Sequence, residues 1–543
     1  MKKKTLGITV AVLALCAALV IAQQIHWKRT PLPSNALQVD LALPDALIRT
    51  QSLARLPRDI LKIPLARDVL AEDFVFYYEQ NEDRLGLKGT LRRIAYEHEL
   101  NWGDQLIQWV LDEPADMALW RDHQGKLQHY IITTTRGNLT RIVETAAKVA
   151  LQDSQLTLAG EMRVDGDKVK IFALEYAHKR KLLLIPHGDR LAILSDPGLL
   201  FKPSGASDGK AENIVAQLIS SDTAKQRIYQ QVLHLEQNTG THTLAVRANF
   251  LSFGYQQFFP GLIALRFDYQ NGAWSTQALL DGAKTSPASL DARTLWSALP
   301  YNPSLCAAVP IDWKSLPPIL ERLGQTTPQA AQLAEQFNGP AAVCWYGDSH
   351  LHTPVFVATL KSPAGSDLAP VLSALFQAAV GASEVELKPA KDPRHPVHLT
   401  QTKGEWIWKR AVSTPQANPD RLNVTLASHG NYLIFSPDEK AVTQALAVLK
   451  KRYPAVADTL PAKEQTLAWI TPSTLAALMR RETLDNLPAS EEEIFRNAAN
   501  AHLLPRLDAL KRHPPYRMVL EGSPKANSVA WQAVTWHAVQ KRK

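Results

Sequence analysis

The chain has 543 residues, with 45% apolar and 21% charged side chains, a composition typical of packed globular proteins and unlike that of disordered chains. A single hydrophobic core stops growing at roughly 250–300 residues, so the length predicts two or more domains. The net charge of +8 is spread along the chain without a long basic tract, and we therefore expect no nucleic-acid partner.

The N-terminus is predicted to engage a membrane. Three lysines at positions 2–4 precede a mostly apolar stretch that runs from Leu6 to Ala22. This stretch is at the short end for a helix that crosses a bilayer, and its basic flank belongs on the cytoplasmic side. The first interpretation is an uncleaved anchor, and the alternatives are cleavage as a signal peptide after Ala22 or lipidation at Cys16. All three place the body outside the cytoplasm, so we expect a single-pass inner-membrane protein with its body in the periplasm.

Segments of the first half of the chain resemble segments of the second half in the same order. Six pairs correspond: 114–122 with 340–348, 129–135 with 355–360, 139–150 with 368–379, 181–197 with 423–437, 242–246 with 465–469, and 263–280 with 516–537. These matches predict a duplicated module of about 240 residues. Strands come as adjacent pairs with tight turns, and helices interrupt them irregularly. This pattern favours α+β modules with mainly antiparallel sheets covered by helices.

The predicted division of the chain follows from these two signals. Residues 1–28 form the anchor or signal segment, 29–50 a Pro-containing spacer, 51–285 the first α+β module and 292–543 the second. One helix of the second module is predicted from apolar side chains that recur at the spacing of a single helix face: Leu368, Val371, Leu372, Leu375, Phe376 and Ala379. The same spacing occurs in 139–150, so each helix should cover a sheet.

Three runs of residues carry a resemblance to a known family. They are Leu56-Pro-Arg-Asp-Ile-Leu-Lys-Ile-Pro-Leu65, Asp73-Phe-Val-Phe-Tyr-Tyr-Glu79 and Asp112-Glu-Pro-Ala-Asp-Met-Ala-Leu-Trp120. With them the chain resembles the bacterial family labelled domain of unknown function 2138, membrane-anchored envelope proteins often encoded near a bacterial α2-macroglobulin. The resemblance implies the same location and suggests a partner of that kind. The motifs are structural in kind, and no catalytic residues come with them.

Strong catalytic and metal-binding motifs are absent from the sequence, including the His-Glu-x-x-His zinc helix, the Gly-x-Ser-x-Gly elbow and the phosphate loop. We therefore predict no catalytic, metal-binding or cofactor-binding residues. Ser207 and Lys210 have the Ser-x-x-Lys spacing of penicillin-binding enzymes, and Lys284-Thr285-Ser286 loosely fits their later Lys-Thr-Gly element. The Pro-, Gly- and Ser-containing surroundings of Ser207 favour a solvated loop instead.

Two pairs of histidines have both a functional and a structural interpretation. His350 and His352 alternate, so on a strand they would share a face and a metal, with Asp348 nearby. The neighbouring Gly and Ser residues favour a hairpin turn, and two histidines make only half a metal site. His187 and His429 occupy equivalent turn positions, each directly before a glycine, and turn geometry alone explains them.

One charged run and two cysteines complete the candidates. Glu491–Glu493, with Arg480 and Arg481 nearby, form either a docking patch or the solvated face that a charged helix usually presents.

Cys306 and Cys344 lie in short apolar runs that resemble strands. They either form a disulfide, which an oxidising compartment permits, or stay as buried free thiols.

The function that these observations favour is binding without catalysis. We expect an inner-membrane-anchored periplasmic protein that binds or scaffolds another envelope protein, with the α2-macroglobulin system suggested by the resemblance alone. The alternatives are an envelope hydrolase with an unfamiliar active site and a carrier of an apolar ligand. A concave pocket with converging titratable groups would favour the hydrolase, and a dry apolar tunnel would favour the carrier.

Overall fold

The structure is a computed structural model that describes residues 39–52, 55–63, 113–122, 127–135, 156–177, 180–202, 207–235, 240–251, 259–285, 290–318, 329–386, 397–402, 404–413, 421–461, 464–485, 493, 496–497, 499–522 and 524–539. The predicted membrane segment, the predicted helix within 139–150, and Ser286, Glu491 and Glu492 lie outside these residues. None of the helices in the described ranges is long and apolar enough to cross a membrane.

The described strands are 5 to 11 residues long, and several of them, such as those at Leu305–Val309 and Phe337–Trp345, bury alternate side chains as half-buried strands do. In the first half they are β1 (Ala46–Thr50), β2 (Ala115–Arg121), β3 (Leu127–Thr135), β4 (Leu156–Val164), β5 (Asp167–Ala177), β6 (Arg180–His187), β7 (Arg190–Leu194), β8 (His242–Arg247), β9 (Leu262–Gln270) and β10 (Ala273–Asp281). In the second half they are β11 (Leu305–Val309), β12 (Phe337–Trp345), β13 (Val355–Leu360), β14 (His398–Thr402), β15 (Glu405–Ser413), β16 (Arg421–His429), β17 (Tyr432–Ser436), β18 (Thr466–Ile470), β19 (Tyr516–Leu520) and β20 (Val529–Ala538).

The described α-helices are mostly short connections between strands. They are α1 (Arg55–Leu61), α2 (Gly209–Ile219), α3 (Ile228–Val232), α4 (Ala248–Leu251), α5 (Arg293–Trp296), α6 (Gln329–Gln336), α7 (Ala369–Glu386), α8 (Glu439–Leu449), α9 (Pro472–Asp485) and α10 (Leu504–Leu510). Single turns of 3₁₀-helix occur at Pro197–Leu199, Lys225–Arg227, Trp313–Ser315 and Val456–Thr459, and a π-helical turn at Ala499–Leu503.

All twenty strands belong to one antiparallel sheet. The prediction of two tandem α+β modules, each with its own sheets, is therefore wrong. Alternating hydrophobicity and turn residues identify strands and hairpins, but they do not mark where a sheet ends, because an edge strand and a paired strand can carry the same pattern. The antiparallel pairing that the tight turns indicated is present throughout the described pairs.

Contacts between Cα atoms group the described residues into two compact units. The first contains the residues up to Leu251 together with Ala264–Thr276, and its strands pair in the order β4-β5-β6-β7-β3-β2-β1-β8-β9. The second contains residues 259–263 and those from Gln277 onward, and its strands pair in the order β14-β15-β16-β17-β13-β12-β11-β18-β19-β20.

The helix predicted from apolar spacing in the second half is confirmed as α7. Its residues Val371, Leu372, Leu375 and Phe376 are buried and pack in one cluster with Trp408 and Leu426 of the sheet. In a second hydrophobic cluster, buried side chains of α5 and α8 pack against the strands β11, β12 and β18. In the first unit, α1 closes a smaller cluster built on Phe267, Tyr269 and Trp274.

Candidate functional site

A buried histidine in the first unit lies between a threonine and an aspartate. His242 begins β8 directly opposite Thr50 of β1, and its side chain has no solvent exposure. Its Nδ1 lies 2.7 Å from Thr50 Oγ1, and its Nε2 lies 2.9 Å from Oδ2 of Asp59 in α1. A hydroxyl, an imidazole and a carboxylate therefore lie in hydrogen-bonding order, which is the arrangement that hydrolases use to activate a nucleophile. The residues Thr50, His242 and Asp59 are called the buried triad below.

Further contacts hold the aspartate of the buried triad in place. Lys62 Nζ lies 2.5 Å from Asp59 Oδ1 and also donates to the Tyr269 hydroxyl at 2.8 Å. Trp274 donates its indole N–H to the Asp59 carbonyl at 3.0 Å, and the rings of Tyr269 and Trp274 stack with His242. Burial by itself would raise the pKa of Asp59, but hydrogen bonds from Lys62 and His242 outweigh it and lower that pKa. The carboxylate is therefore ionised at neutral pH.

The burial of the threonine decides what the buried triad can do. Thr50 is 1% exposed, and its hydroxyl donates to the carbonyl oxygen of Ser52 at 2.7 Å. A nucleophile must reach a substrate carbonyl from a solvent-accessible position. Neither the hydroxyl nor the imidazole has that access, so the buried triad joins α1 to β1 and β8 and does not form an active site.

The turn histidines predicted from sequence each lie beside a carboxylate. His187 Nε2 is 3.8 Å from Asp165 Oδ2, and His429 Nδ1 is 3.2 Å from Oε2 of the buried Glu405. Gly188 and Gly430 have φ values of 57° and 55°, so the glycine that follows each histidine supplies the positive φ of a tight turn. The structural interpretation of both histidines therefore accounts for their positions.

Asp165 is a hydrogen-bond acceptor that fastens the β4–β5 turn to the end of α2. Its carboxylate accepts from the Ser220 hydroxyl at 2.7 Å and from the Ser221 backbone N–H at 2.6 Å, and Lys225 Nζ lies 3.4 Å away. These bonds, the Ser220 hydroxyl first, hold the pKa of Asp165 well below its usual range. A carboxylate saturated by donors from its own fold is a structural group.

The serine and the lysine of the Ser-x-x-Lys candidate contact different partners. Ser207 donates its hydroxyl to Glu212 at 2.8 Å, whereas Lys210 is exposed and lies 3.4 Å from Asp40. Asp208, between them, caps the start of α2 by accepting from the Lys210 backbone N–H. The lysine is therefore not placed to take a proton from the serine. The segment forms the N-terminal cap of α2 instead.

The histidines of the second unit lie together with a glutamate that sequence reasoning missed. His350 and His352 lie in the turn between β12 and β13, and Glu482 of α9 completes a group whose ligand atoms all lie within 4.8 Å of one another. Asp348, the acidic neighbour expected from sequence, instead offers its backbone carbonyl to Arg481. Two imidazoles and one carboxylate form a donor set that binds divalent transition metals.

The two cysteines form a disulfide between neighbouring strands. Cys306 of β11 lies directly opposite Cys344 of β12, with 4.1 Å between their Cα atoms. Both are fully buried in the cluster that contains Trp469. Of the two arrangements considered from sequence, the structure contains the disulfide.

His129 of β3 is a buried imidazole whose two ring nitrogens find no hydrogen-bond partner among the described residues. Burial lowers its pKa. An unfolded chain binds a proton at this ring below about pH 6.5 while the folded chain does not, so stability should fall as the pH drops below that value.

We predict that His129→Leu raises the free energy of unfolding at pH 7 by about 1 kcal/mol, because it removes a buried polar group without partners. The variant should also lose stability less steeply than the parent between pH 7.5 and 5.5. Urea unfolding at pH 7.5, 7 and 5.5 measures both effects. His398→Ala, at an exposed position of β14, is the matched control and should change neither. An unchanged pH slope in His129→Leu would contradict the prediction.

Comparison with known proteins connects the chain to a bacterial family. The profile of the family described as "Uncharacterized protein conserved in bacteria (DUF2138)" matches residues 4–537. The "Uncharacterized protein YfaA" of Escherichia coli (strain K12) is 36% identical over 524 residues, covering 92% of this chain and 91% of that protein. A solved structure titled "Structure of crystal form III of TP0453" aligns at 11% identity over 50% of this chain and 86% of its own, with a TM-score of 0.22, too low to relate the folds. The protein thus belongs to the family of bacterial proteins called domain of unknown function 2138.

Proposed function

We propose that the protein is a non-enzymatic component of the bacterial envelope, held at the inner membrane by the segment from Leu6 to Ala22. In this proposal its body lies in the periplasm and binds or scaffolds another envelope protein. The disulfide between Cys306 and Cys344 is the observation that carries the proposal, because structural disulfides persist in oxidising compartments such as the periplasm and are rare in the cytosol. The basic residues that precede the apolar N-terminal segment agree with this orientation.

Two further observations support binding over catalysis. The buried triad has the composition of a hydrolase site but no access for a substrate. The turn histidines His187 and His429 lie beside carboxylates of their own fold. A bacterial α2-macroglobulin is the partner to test first, on the strength of the family resemblance.

Protease added to spheroplasts should digest the chain beyond Trp27 while a cytoplasmic marker survives. Crosslinking in intact cells should then join the full chain to the α2-macroglobulin. The matched control is residues 29–543 expressed without the N-terminal segment, which should be protected from protease and give no such adduct. A full-length body that resists protease would contradict the location. A digested body with no adduct to an envelope protein would contradict the binding role alone.

A further inference from the structure

The turn between β12 and β13 holds its own shape without help from its histidine side chains. Ser349 donates its hydroxyl to the Tyr346 carbonyl at 2.9 Å, and Thr353 donates its hydroxyl to the His350 carbonyl at 3.2 Å. The side chain of Trp345 donates to the Leu351 carbonyl at 2.9 Å. Ser349 and Thr353 are both buried. These hydrogen bonds within the turn do not involve the two imidazoles that it carries.

The helix α9 places a carboxylate beside the two histidines of this turn. Glu482 lies near the end of α9, and its Oε1 accepts from the Leu351 backbone N–H at 2.8 Å and lies 3.0 Å from His350 Nδ1. The neighbouring Arg481 donates to the Asp348 carbonyl. The turn packs against the same helix at Gly347, where a Cβ would lie in ordinary van der Waals contact, 3.4 Å from Thr474 of α9. The carboxylate is therefore oriented by the fold itself, as second-shell hydrogen bonds orient the ligands of metal sites.

The arrangement of the donors fits a small divalent ion. The rings of His350 and His352 stack with their centroids 5.2 Å apart, and the ligand atoms of the three residues lie within 4.8 Å of one another. Bonds of about 2.0–2.1 Å in a tetrahedral site require ligand atoms about 3.3 Å apart. The His350–Glu482 pair already meets this spacing, and the ligand atom of His352 lies within 4.8 Å of both partners, so a small change in its side-chain torsions would complete the site.

We propose that His350, His352 and Glu482 form a binding site for Zn²⁺. Two imidazoles and one carboxylate are a familiar ligand set for zinc that leaves a fourth position for water or for a donor from a bound partner. His350 is partly exposed and His352 is exposed, so an ion can reach both side chains from solvent. The inference does not depend on the proposed binding role, because the site is built from the residues of one turn and one helix.

Zinc titration of the full chain tests this inference. The detergent-solubilised protein, without an affinity tag or reductant, competes for Zn²⁺ with a chromophoric chelator, and Co²⁺ is added separately to record its visible spectrum. We expect one Zn²⁺ per chain, a higher unfolding temperature with zinc, and the intense visible bands of tetrahedral Co²⁺. His352→Ala and Glu482→Gln should each weaken zinc binding at least about tenfold and abolish the cobalt bands.

The variants are chosen so that loss of zinc is not confused with loss of fold. The side chain of His352 is exposed, and the amide oxygen introduced by Glu482→Gln can still accept from the Leu351 N–H, so both variants should unfold at nearly the parental temperature without zinc. His398→Ala removes an exposed histidine elsewhere and should leave zinc affinity unchanged. Equal zinc affinity in the parent, His352→Ala and Glu482→Gln would overturn the proposal, as would an affinity lost only in His398→Ala.

Discussion

Removing the disulfide by Cys306→Ala, Cys344→Ala or both substitutions together should lower the free energy of unfolding of the second unit by about 4 kcal/mol. The cysteines are 38 residues apart in sequence, and the bond removes the conformational freedom of that loop from the unfolded chain. The two single variants and the double variant should cost nearly the same, because each breaks the same covalent link. Urea unfolding followed by hydrogen exchange and mass spectrometry resolves peptides of the second unit from those of the first.

Reductant supplies the matched control for this prediction. Dithiothreitol should destabilise the parent protein by a similar amount and leave the double variant unchanged. In the unfolded, unreduced parent a thiol reagent should label Cys16 at most, and after reduction it should label all three cysteines. Labelling of Cys306 and Cys344 without reduction, or a parent insensitive to dithiothreitol, would contradict the assigned bond.

Local features of the fold could be predicted from the sequence, since their causes are local. The sequence predicts a tight turn where His429 precedes a glycine, and Gly430 provides the positive φ that the turn between β16 and β17 needs. The helix α7 was expected from the spacing of Val371, Leu372, Leu375 and Phe376, and these side chains are buried. In both cases the signal and the structure depend on residues that are close in sequence.

Features that depend on distant residues could not be predicted in this way. His350 and Glu482 are 132 residues apart, and the sequence of α9 suggests only a charged helix end. His242 and Asp59 are 183 residues apart, and each has an unremarkable neighbourhood, a strand start for one and a short helix for the other. The single sheet is the largest example, because the pairing of strand edges depends on shape and twist that no short pattern encodes.

The buried triad provides the second large expected effect. Asp59→Leu or His242→Leu should each lower the free energy of unfolding of the first unit by about 3–5 kcal/mol, because each leaves a buried charged or polar partner without its hydrogen bond. Lys62→Met is the matched control. Its side chain is 57% exposed and its charge is screened by solvent, so its loss should cost far less than either substitution even though it also contacts Asp59.

The double variant Asp59→Leu/His242→Leu separates the pair from the packing around it. If each single variant loses stability mainly because it leaves its partner buried without a hydrogen bond, the double variant should lose clearly less stability than the sum of the two single variants, since neither polar group then remains buried alone.

The pH dependence of stability tests the contribution of Asp59 independently. Because the folded-state pKa of Asp59 is lowered, its contribution is present above the unfolded value near 3.9 and is lost as the pH falls through the folded value. The parent should therefore lose more stability than Asp59→Leu between pH 5 and pH 2. Additive single costs together with parallel acid curves would mean that the aspartate and the histidine stabilise the fold separately, and that the hydrogen bond between them contributes nothing.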